Sequence, residues 1–400
     1  MNELKKQICD NIENLRQPLV TMSHNIAANP ELCYNEYKAV EFIRETVTAQ
    51  GWEFTSGIGG IDTAFIASCS NGEGPHVAIL AEYDALAEVG HACGHNVIAT
   101  MSTGAFLGLA PMMDQFQGKV SLIGCPAEEG GAGKVRLVAA GIFDDVDYAM
   151  MIHPSSGKNV SQRGGRAANR ATVRMKGKAA HSSNPASGIN ALNAIIATFN
   201  HLDMLRPTFN QYDNVNGIIT KGGASANTIP DDCEALFSLR AKTMIEMKVL
   251  QDKIRRAAEA AAALTGATAE VEFGLITGER YCNPAMCAAF RDNLKEFGED
   301  MTIMPQWGNY GSSDIGNVGV RLPIIHEYIW IAPKGTVSHN KEYTEWVTKE
   351  RADNVCVMGA QTLAMTAADI FTNPELREKI KADFDAMVPT CYQSDEWKQI

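Results

Sequence analysis

The stretch HACGHN, residues 91–96, places two histidines and one cysteine within five positions. Such residues indicate a redox cysteine, a structural zinc site or part of an open metal site. Only a glycine separates Cys93 from His95, a spacing that lets a turn direct both side chains at one ion, whereas a helix would point them apart. For either residue alone, a buried and hydrogen-bonded side chain is the simpler interpretation. The motif therefore indicates a metal site only if further ligands lie nearby.

Further candidate ligands stand where apolar segments typical of buried strands end, which is where open α/β sheets bind ligands. They are Glu128, Glu129, His153 and His339. Adjacent carboxylates usually form a solvated surface pair, but directly after a buried strand their mutual repulsion calls for a cation. One carboxylate can bind the metal while the other holds or deprotonates a water molecule. One thiolate, three imidazoles and a carboxylate suit zinc or manganese, and five ligands beside a spare carboxylate predict two ions.

The segments that must position these residues alternate between strand and helix patterns. The candidate strands are short, apolar on both faces and rich in β-branched residues: 63–68, 76–83, 119–127, 147–153 and 324–332. Helical stretches lie between them, for example 96–110 and 133–143. The alternation predicts an α/β fold with a doubly wound, mostly parallel sheet.

From about residue 168 the pattern changes to β-α-β-β-α-β, the order of a ferredoxin-like α+β layer. We predict an inserted domain over 168–282, with 1–167 and 283–400 forming the metal-binding domain. Its first helix is expected to turn one apolar face to the sheet: Leu192, Ile195, Ile196, Phe199, Leu202 and Leu205.

Whole-chain properties narrow the class of protein. Four hundred residues exceed the usual size of one hydrophobic core, which predicts two domains. The formal net charge of −12 argues against nucleic-acid and anionic-membrane partners. The ten cysteines include no C-x-x-C pair, which argues against a disulfide framework or a zinc ribbon. We see no signal peptide and no stretch of transmembrane length, so a cytoplasmic location is expected.

Five motifs in this order carry a resemblance to a known family: EYDALAEVGHACGHN, CPAEEGGAGK, MMIHPSS, GKAAHSS and GSSDIGNVGVRLP. They resemble the dimetal peptidase superfamily of aminoacylases and carboxypeptidase G-type enzymes. Within it, they are most similar to the amidohydrolase branch, especially the p-aminobenzoyl-glutamate hydrolase subunits and Xaa-Arg dipeptidases. The resemblance spans about residues 20–385. It implies a catalytic domain that binds two divalent ions and an inserted lid that also forms a homodimer.

The resemblance also implies roles for individual residues. The metal ligands would be Cys93, His95, Glu129, His153 and His339. Glu128 would be the general base, and His181 in GKAAHSS would stabilise the transition state. Asn227 in GGASANTIP and Arg240 in FSLRAKT would meet the carboxylate of the substrate.

Several other residues have weaker expectations. Asp84 is expected to orient a ligand histidine or to cap a turn. Asp314 is expected to cap the turn that follows it or to contact the substrate. Ala87 stands where relatives commonly carry proline, and the stretch GRAANR (165–170) maps to no role. The remaining histidines are expected to be structural: His24, His76, His91, His201 and His326.

Two functions stay open from the sequence. The first is metal-dependent hydrolysis of a small amide, namely a dipeptide, an N-acyl amino acid or an aminobenzoyl-glutamate-like compound. The second is a catalytically silent metal-binding scaffold that serves as a binding or assembly subunit. The presence of Glu128 beside a complete ligand set favours the first, because a scaffold has no need of a spare base.

Overall fold

A computed structural model describes residues 1–398. The chain divides into two compact units. The first comprises residues 1–164, residues 280–306 and the chain from Asp314 onward, and the second comprises 165–279 and 307–313. The second unit begins three residues before the insertion that we expected at 168–282 and ends three residues before its end. The short segment 307–313 also belongs to it, although no pattern in the sequence marks that segment.

The strands within the described residues are, in chain order, β1 (Thr55–Ser56), β2 (Phe65–Asn71), β3 (His76–Ala81), β4 (Gly118–Gly124), β5 (Tyr148–Ser156), β6 (Val160–Ser161), β7 (Ala167–Lys176), β8 (Ala180–His181), β9 (Asn214–Lys221), β10 (Thr228–Ile229), β11 (Asp232–Ala241), β12 (Thr268–Phe273), β13 (Thr302–Ile303) and β14 (Ile324–Ala332). The α-helices are α1 (Glu3–Asn14), α2 (Arg16–Ala28), α3 (Tyr37–Thr48), α4 (His95–Leu109), α5 (Gly133–Ala139), α6 (Ala191–Leu205), α7 (Met244–Thr265), α8 (Pro284–Lys295), α9 (Ile315–Gly319), α10 (Lys341–Thr344), α11 (Glu350–Thr372) and α12 (Pro374–Met387).

The first unit is built on one sheet with the strand order β1-β2-β4-β3-β5-β14-β6-β13. The neighbouring pairs among β4, β3, β5 and β14 are parallel, whereas β2 joins β4 antiparallel. This confirms the predicted α/β fold with a mostly parallel sheet. Because β3 ends at Ala81 and β4 ends at Gly124, the segments after them emerge at the same edge of the sheet.

Helix α4 is buried along its whole length, since none of its residues is exposed. Two glycines let other elements approach it closely. A Cβ atom on Gly104 would lie 2.9 Å from Ala360 Cβ, and one on Gly108 would lie 2.3 Å from Ile12 Cγ1. Close packing against Ala360 and Ile12 therefore holds the second half of α4, the helix that begins with His95, in the core.

Two helical segments, His95–Gln115 and Glu350–Thr372, are long and apolar enough to cross a membrane by length and composition. The expectation that no stretch approaches that length was therefore wrong. In their most apolar windows, 94% and 83% of the residues are buried inside the protein. Their hydrophobicity is accounted for by packing in the core, where an apolar helix is buried on all sides.

The second unit contains an antiparallel sheet with the order β12-β7-β11-β9, and a separate pair formed by β8 and β10. Helices α6 and α7 follow β7 and β11 in the chain, which gives the predicted β-α-β-β-α-β order.

The expected face of α6 is only partly right. The buried residues of this helix are Ala191, Ala194, Ile195, Thr198 and Leu202. They follow the i, i+3, i+4, i+7 spacing of one helix face. Ile196 lies about 100° around the helix from Ile195 and remains 45% exposed. The buried stripe includes small residues, so hydrophobicity alone shifted the predicted face.

Candidate metal centre

Cys93 lies in the turn between β3 and α4, His95 is the first residue of α4, and Gly94 between them makes that turn possible. Gly94 has φ of +81° and is the N-cap of the helix. A Cβ atom at this position would come within 2.5 Å of Pro154 Cγ. A side chain is thus excluded both by the backbone conformation and by the space available.

The loop with His339 is tied directly to the loop with Cys93. The backbone N–H of His339 donates to the carbonyl oxygen of Ala92 at 2.9 Å. His339 has φ of +63°, a left-handed conformation that is unfavourable for a non-glycine residue. Such strain concentrates at functional sites, where the surrounding structure holds it in place.

The structure brings the five expected ligands together in two groups. The ligand atoms of Cys93, His95 and His153 lie within 4.8 Å of one another, and so do those of Cys93, Glu129 and His339. Cys93 Sγ is 3.3 Å from the Nε2 atom of His153. Glu129 Oε1 is 3.3 Å from the Nε2 atom of His339. Cys93 is common to both groups.

Hydrogen bonds behind the ligands set their orientation. Asp84 is buried; its Oδ1 accepts from Nδ1 of His95 at 2.9 Å, and its Oδ2 accepts from the backbone N–H of Glu129 at the same distance. The Nδ1 atom of His153 lies 2.6 Å from the carbonyl oxygen of Pro154 and donates to it. Both histidines therefore keep Nε2 for another partner, which is the usual arrangement of metal-binding imidazoles.

Two atoms of the expected ligands are buried at this point and lack a hydrogen-bond partner among residues 1–398. They are Nε2 of His95 and Oε1 of Glu129, which lie 3.7 Å apart. Buried polar atoms without partners are rare in folded proteins. A divalent cation coordinated by both atoms would satisfy them, and thiolate, imidazole and carboxylate are a suitable donor set. The residues present therefore fit a divalent metal ion.

His153 and Glu129 already have the protonation state that a metal ligand needs, whereas Cys93 does not. Burial and the nearby His95 lower the pKa of His153 to about 3, so its imidazole is neutral. Against the effect of burial, the imidazole of His339 beside it and the charge of His95 lower the pKa of Glu129 to about 2, so it is a carboxylate. Burial raises the pKa of the Cys93 thiol, so this ligand loses its proton only when a cation binds.

Glu128 lies beside the ligands but belongs to neither of the two groups that share Cys93. Its ligand atom is within 4.8 Å of those of His95 and Glu129. Burial and the nearby carboxylates of Glu82 and Asp314 raise the pKa of Glu128 well above its usual range. A carboxyl group with raised proton affinity is suited to accept a proton near neutral pH.

A buried cluster of charges that the sequence analysis missed adjoins Glu128. Lys134 donates to Oε1 of Glu82 and, at 2.6 Å, to Oδ1 of Asp314. The three side chains are fully or almost fully buried. Asp314 was expected to cap the next turn, but its side chain makes no capping bond to α9 and instead contacts Lys134. A buried lysine requires such counter-charges, and they override capping.

A second missed feature packs against the ligand His153. His326, expected to be an ordinary structural residue, has its ring centroid 5.6 Å from that of His153, with the rings perpendicular. The buried Arg280 donates to Nδ1 of His326 at 2.6 Å. No motif in the sequence links residues 153, 280 and 326, since the contact depends on the pairing of β5 with β14.

In the second unit, the expected lid residues are exposed: His181 ends β8, and Asn227 lies in the turn directly before β10. His181 of β8 pairs with Thr228 of β10, and the N–H of Ser182 donates to the carbonyl oxygen of Asn227 at 2.9 Å. The Nδ1 atom of His181 accepts from the N–H of Ser183 at 3.2 Å. In the neutral ring, the proton is therefore on Nε2, which can donate to another group.

Arg240, also in the second unit, has two further arginines near it. Burial and the positive charges of Arg166 and Arg170 lower the pKa of Arg240. Both neighbours come from the stretch GRAANR, to which the sequence analysis assigned no role. Three guanidinium groups make a local excess of positive charge that suits a carboxylate.

Residues 73–369 match the sequence model of peptidase family M20/M25/M40. The chain belongs to this peptidase family. It is 35% identical to a Xaa-Arg dipeptidase of Mus musculus over 95% of this chain and 92% of the relative. It is 32% identical to one of the p-aminobenzoyl-glutamate hydrolase subunits of Escherichia coli over 77% of this chain and 67% of the relative.

Solved structures show the same fold at lower sequence identity. A dinuclear metal-binding peptidase of this family from Bacillus subtilis superposes with a TM-score of 0.67 at 22% identity, covering 89% of this chain and 99% of that one. An aminobenzoyl-glutamate utilization protein from Klebsiella pneumoniae superposes with a TM-score of 0.73 at 18% identity, covering 92% and 99%. Family membership together with the ligand groups makes this M20-family protein a metal-dependent hydrolase of peptide or amide bonds.

Proposed function

We propose that this hydrolase cleaves a small amide that carries a free carboxylate: a dipeptide, an N-acyl amino acid or an aminobenzoyl-glutamate-like compound. The observation that carries the proposal is Glu128 lying next to two ligand groups that share Cys93. The relatives named as a Xaa-Arg dipeptidase and as a p-aminobenzoyl-glutamate hydrolase support the choice of substrate class.

We further propose that each chain would hold two divalent ions, zinc or manganese, through Cys93, His95, Glu129, His153 and His339. His95 and His153 would hold one ion, and Glu129 and His339 would hold the other, because the two groups have only Cys93 in common. Ions bound here would lower the pKa of a water molecule and polarise the scissile carbonyl.

The side chains of the protein supply the remaining chemistry. Glu128 takes a proton from the attacking water and later delivers one to the departing amine, so that the carboxyl is ready for the next turnover. His181 donates a hydrogen bond from Nε2 to the oxyanion of the tetrahedral intermediate. Arg240 and Asn227 bind the substrate carboxylate. The intermediate collapses to a free acid and an amine, and no covalent link to the enzyme is formed.

We also propose a cytoplasmic location and a small-molecule substrate rather than a nucleic-acid or membrane partner. All ten cysteines are unpaired, as is usual in reducing compartments. The net charge of −12 disfavours polyanionic partners.

The remaining proposal is a homodimer formed through the second unit. Strand β9 is an edge of its sheet, and its side chains Ile218 and Ile219 are 62% and 42% exposed. Exposed apolar side chains on an edge strand favour pairing with another chain.

We expect the full-length protein to sediment as a dimer at micromolar concentration and Ile218→Lys to shift it towards monomer. Leu264→Lys on α7, a residue that is 77% exposed, is the matched control and should leave the dimer intact. A wild-type monomer would contradict the proposal.

The experiment that tests the proposed function measures amide hydrolysis by the full-length protein before and after removal of metal. The substrates are a panel of dipeptides, N-acyl amino acids and aminobenzoyl-glutamate, each paired with its carboxamide analogue. Products are followed by mass spectrometry. If Arg240 binds the substrate carboxylate, the carboxamide analogues should be poorer substrates than their parent acids.

A further inference from the structure

Three buried polar atoms face one another at His95. Because Asp84 accepts a hydrogen bond from Nδ1 of His95, Nε2 is the ring atom that faces the other two. Oε2 of Glu82 lies 3.6 Å from this nitrogen, and Oε1 of Glu129 lies 3.7 Å from it. Within residues 1–398, none of the three atoms has a hydrogen-bond partner, although all are buried. Buried polar atoms without partners are costly, and a metal cation bound among these three would satisfy all of them.

Glu82 is held in this position from behind. Its other oxygen, Oε1, accepts from the ammonium group of Lys134, which also donates to Asp314. All three side chains are buried. One lysine charge balances only one of the two carboxylates, so the cluster has an excess of negative charge. Oε2 is the side of Glu82 that Lys134 does not contact.

We infer that Glu82 is a further residue of the metal centre. The negative charge on its Oε2 would stabilise the ion that His95 binds. Carboxylate oxygen is a normal partner of zinc and manganese, and the negative charge favours a cation at this point. Lys134 and Asp314 are positioning residues, since they act through Glu82. The inference rests on the proposed metal centre and adds to it a residue outside both groups that share Cys93.

The test is a zinc titration of the full-length protein against a chromophoric chelator, comparing wild type with Glu82→Gln. Glutamine keeps the size of the side chain and a contact with Lys134, but it removes the negative charge. Groups that support metal ligands typically contribute ~10–100-fold to metal affinity, so we expect a loss of that size for one ion. Glu327→Gln is the matched control, because it makes the same chemical change at a buried glutamate of β14. Glu327 accepts from the hydroxyl of Ser161 at 3.1 Å and belongs to no group of candidate ligands among the described residues, so zinc affinity should stay at the wild-type value.

The possible results separate the claims. Wild-type zinc affinity in Glu82→Gln, or equal losses in Glu82→Gln and Glu327→Gln, would overturn the role of Glu82 and leave the proposed function standing. A wild-type protein that binds no zinc or manganese would overturn the metal centre and this inference with it. If Glu82→Gln does not fold, Glu82→Asp replaces it, since it keeps the charge for Lys134 and withdraws the carboxylate. Weaker zinc binding by folded Glu82→Asp supports the inference, and unchanged binding overturns it.

Discussion

Replacing Glu128 by glutamine is expected to abolish most turnover while leaving the metal content at the wild-type level. Glutamine has the shape of glutamate but cannot accept the proton of the attacking water. General acid–base groups contribute ~10²–10⁴-fold to rate, so we expect kcat to fall by that factor. The ligand atom of Glu128 lies within 4.8 Å of those of His95 and Glu129, so its carboxyl group is close enough to reach a water molecule beside them. The measurement is steady-state kinetics together with metal analysis of the same protein sample.

Glu129→Gln provides the matched control, because it makes the same chemical change at the neighbouring residue. Oε1 of Glu129 is buried without a hydrogen-bond partner among the described residues and lies 3.3 Å from Nε2 of His339. We therefore expect Glu129→Gln to lose metal as well as activity. A Glu128→Gln enzyme with near-normal kcat would show that another group removes the proton.

Replacing His181 by alanine is expected to lower kcat far more than it raises KM. A donor to the oxyanion acts mainly in the transition state, where charge develops on the carbonyl oxygen. Loss of one such donor typically costs ~10²–10³ in rate. The Nδ1 atom of His181 accepts from Ser183, so the Nε2 proton is available for this bond. Metal content should not change, which distinguishes His181 from the ligands.

His201→Ala is the matched control in the same unit, because the ring of His201 bonds to the carbonyl oxygen of Ala257 within the unit. It should leave kcat near the wild-type value. Mixing His181→Ala with Glu128→Gln chains tests whose active site the histidine serves. Recovery of activity on mixing indicates that His181 acts in the partner's active site, and no recovery indicates its own. Unaltered kcat in His181→Ala on a good substrate would show that His181 has no part in the reaction.

The sequence indicated the metal centre because three of its expected ligands follow strands whose ends share one edge of a parallel sheet. His153, which was expected to end its strand, lies within β5. Cys93 and His95 follow β3, and Glu129 follows β4, its parallel neighbour. That edge could be inferred from the alternation of strands and helices without knowledge of any contact. Asp84 could also be anticipated, since it belongs to the same segment as the ligand that it orients.

The supporting clusters could not be predicted, because they join residues with no shared local pattern. Lys134 and Asp314 are 180 positions apart, and a lysine after a glycine-rich turn is ordinarily exposed. The contact of His326 with His153 requires the register of β14 on β5, which hydrophobic periodicity does not specify. The prediction that Ile196 is buried was wrong for a related reason, since small residues occupy part of the buried face of α6.

The most direct test of the central claim is the hydrolysis of one good substrate by chelator-treated protein, with and without added zinc or manganese. Metal content is measured on each sample. The proposed centre predicts that chelation abolishes hydrolysis in the wild-type protein and that the added ion restores it. Restoration should fail in Cys93→Ala, because Cys93 belongs to both ligand groups, and in His153→Ala, which lacks a ligand of one group. Undiminished hydrolysis after complete removal of metal, or wild-type metal content and activity in both variants, would contradict the claim.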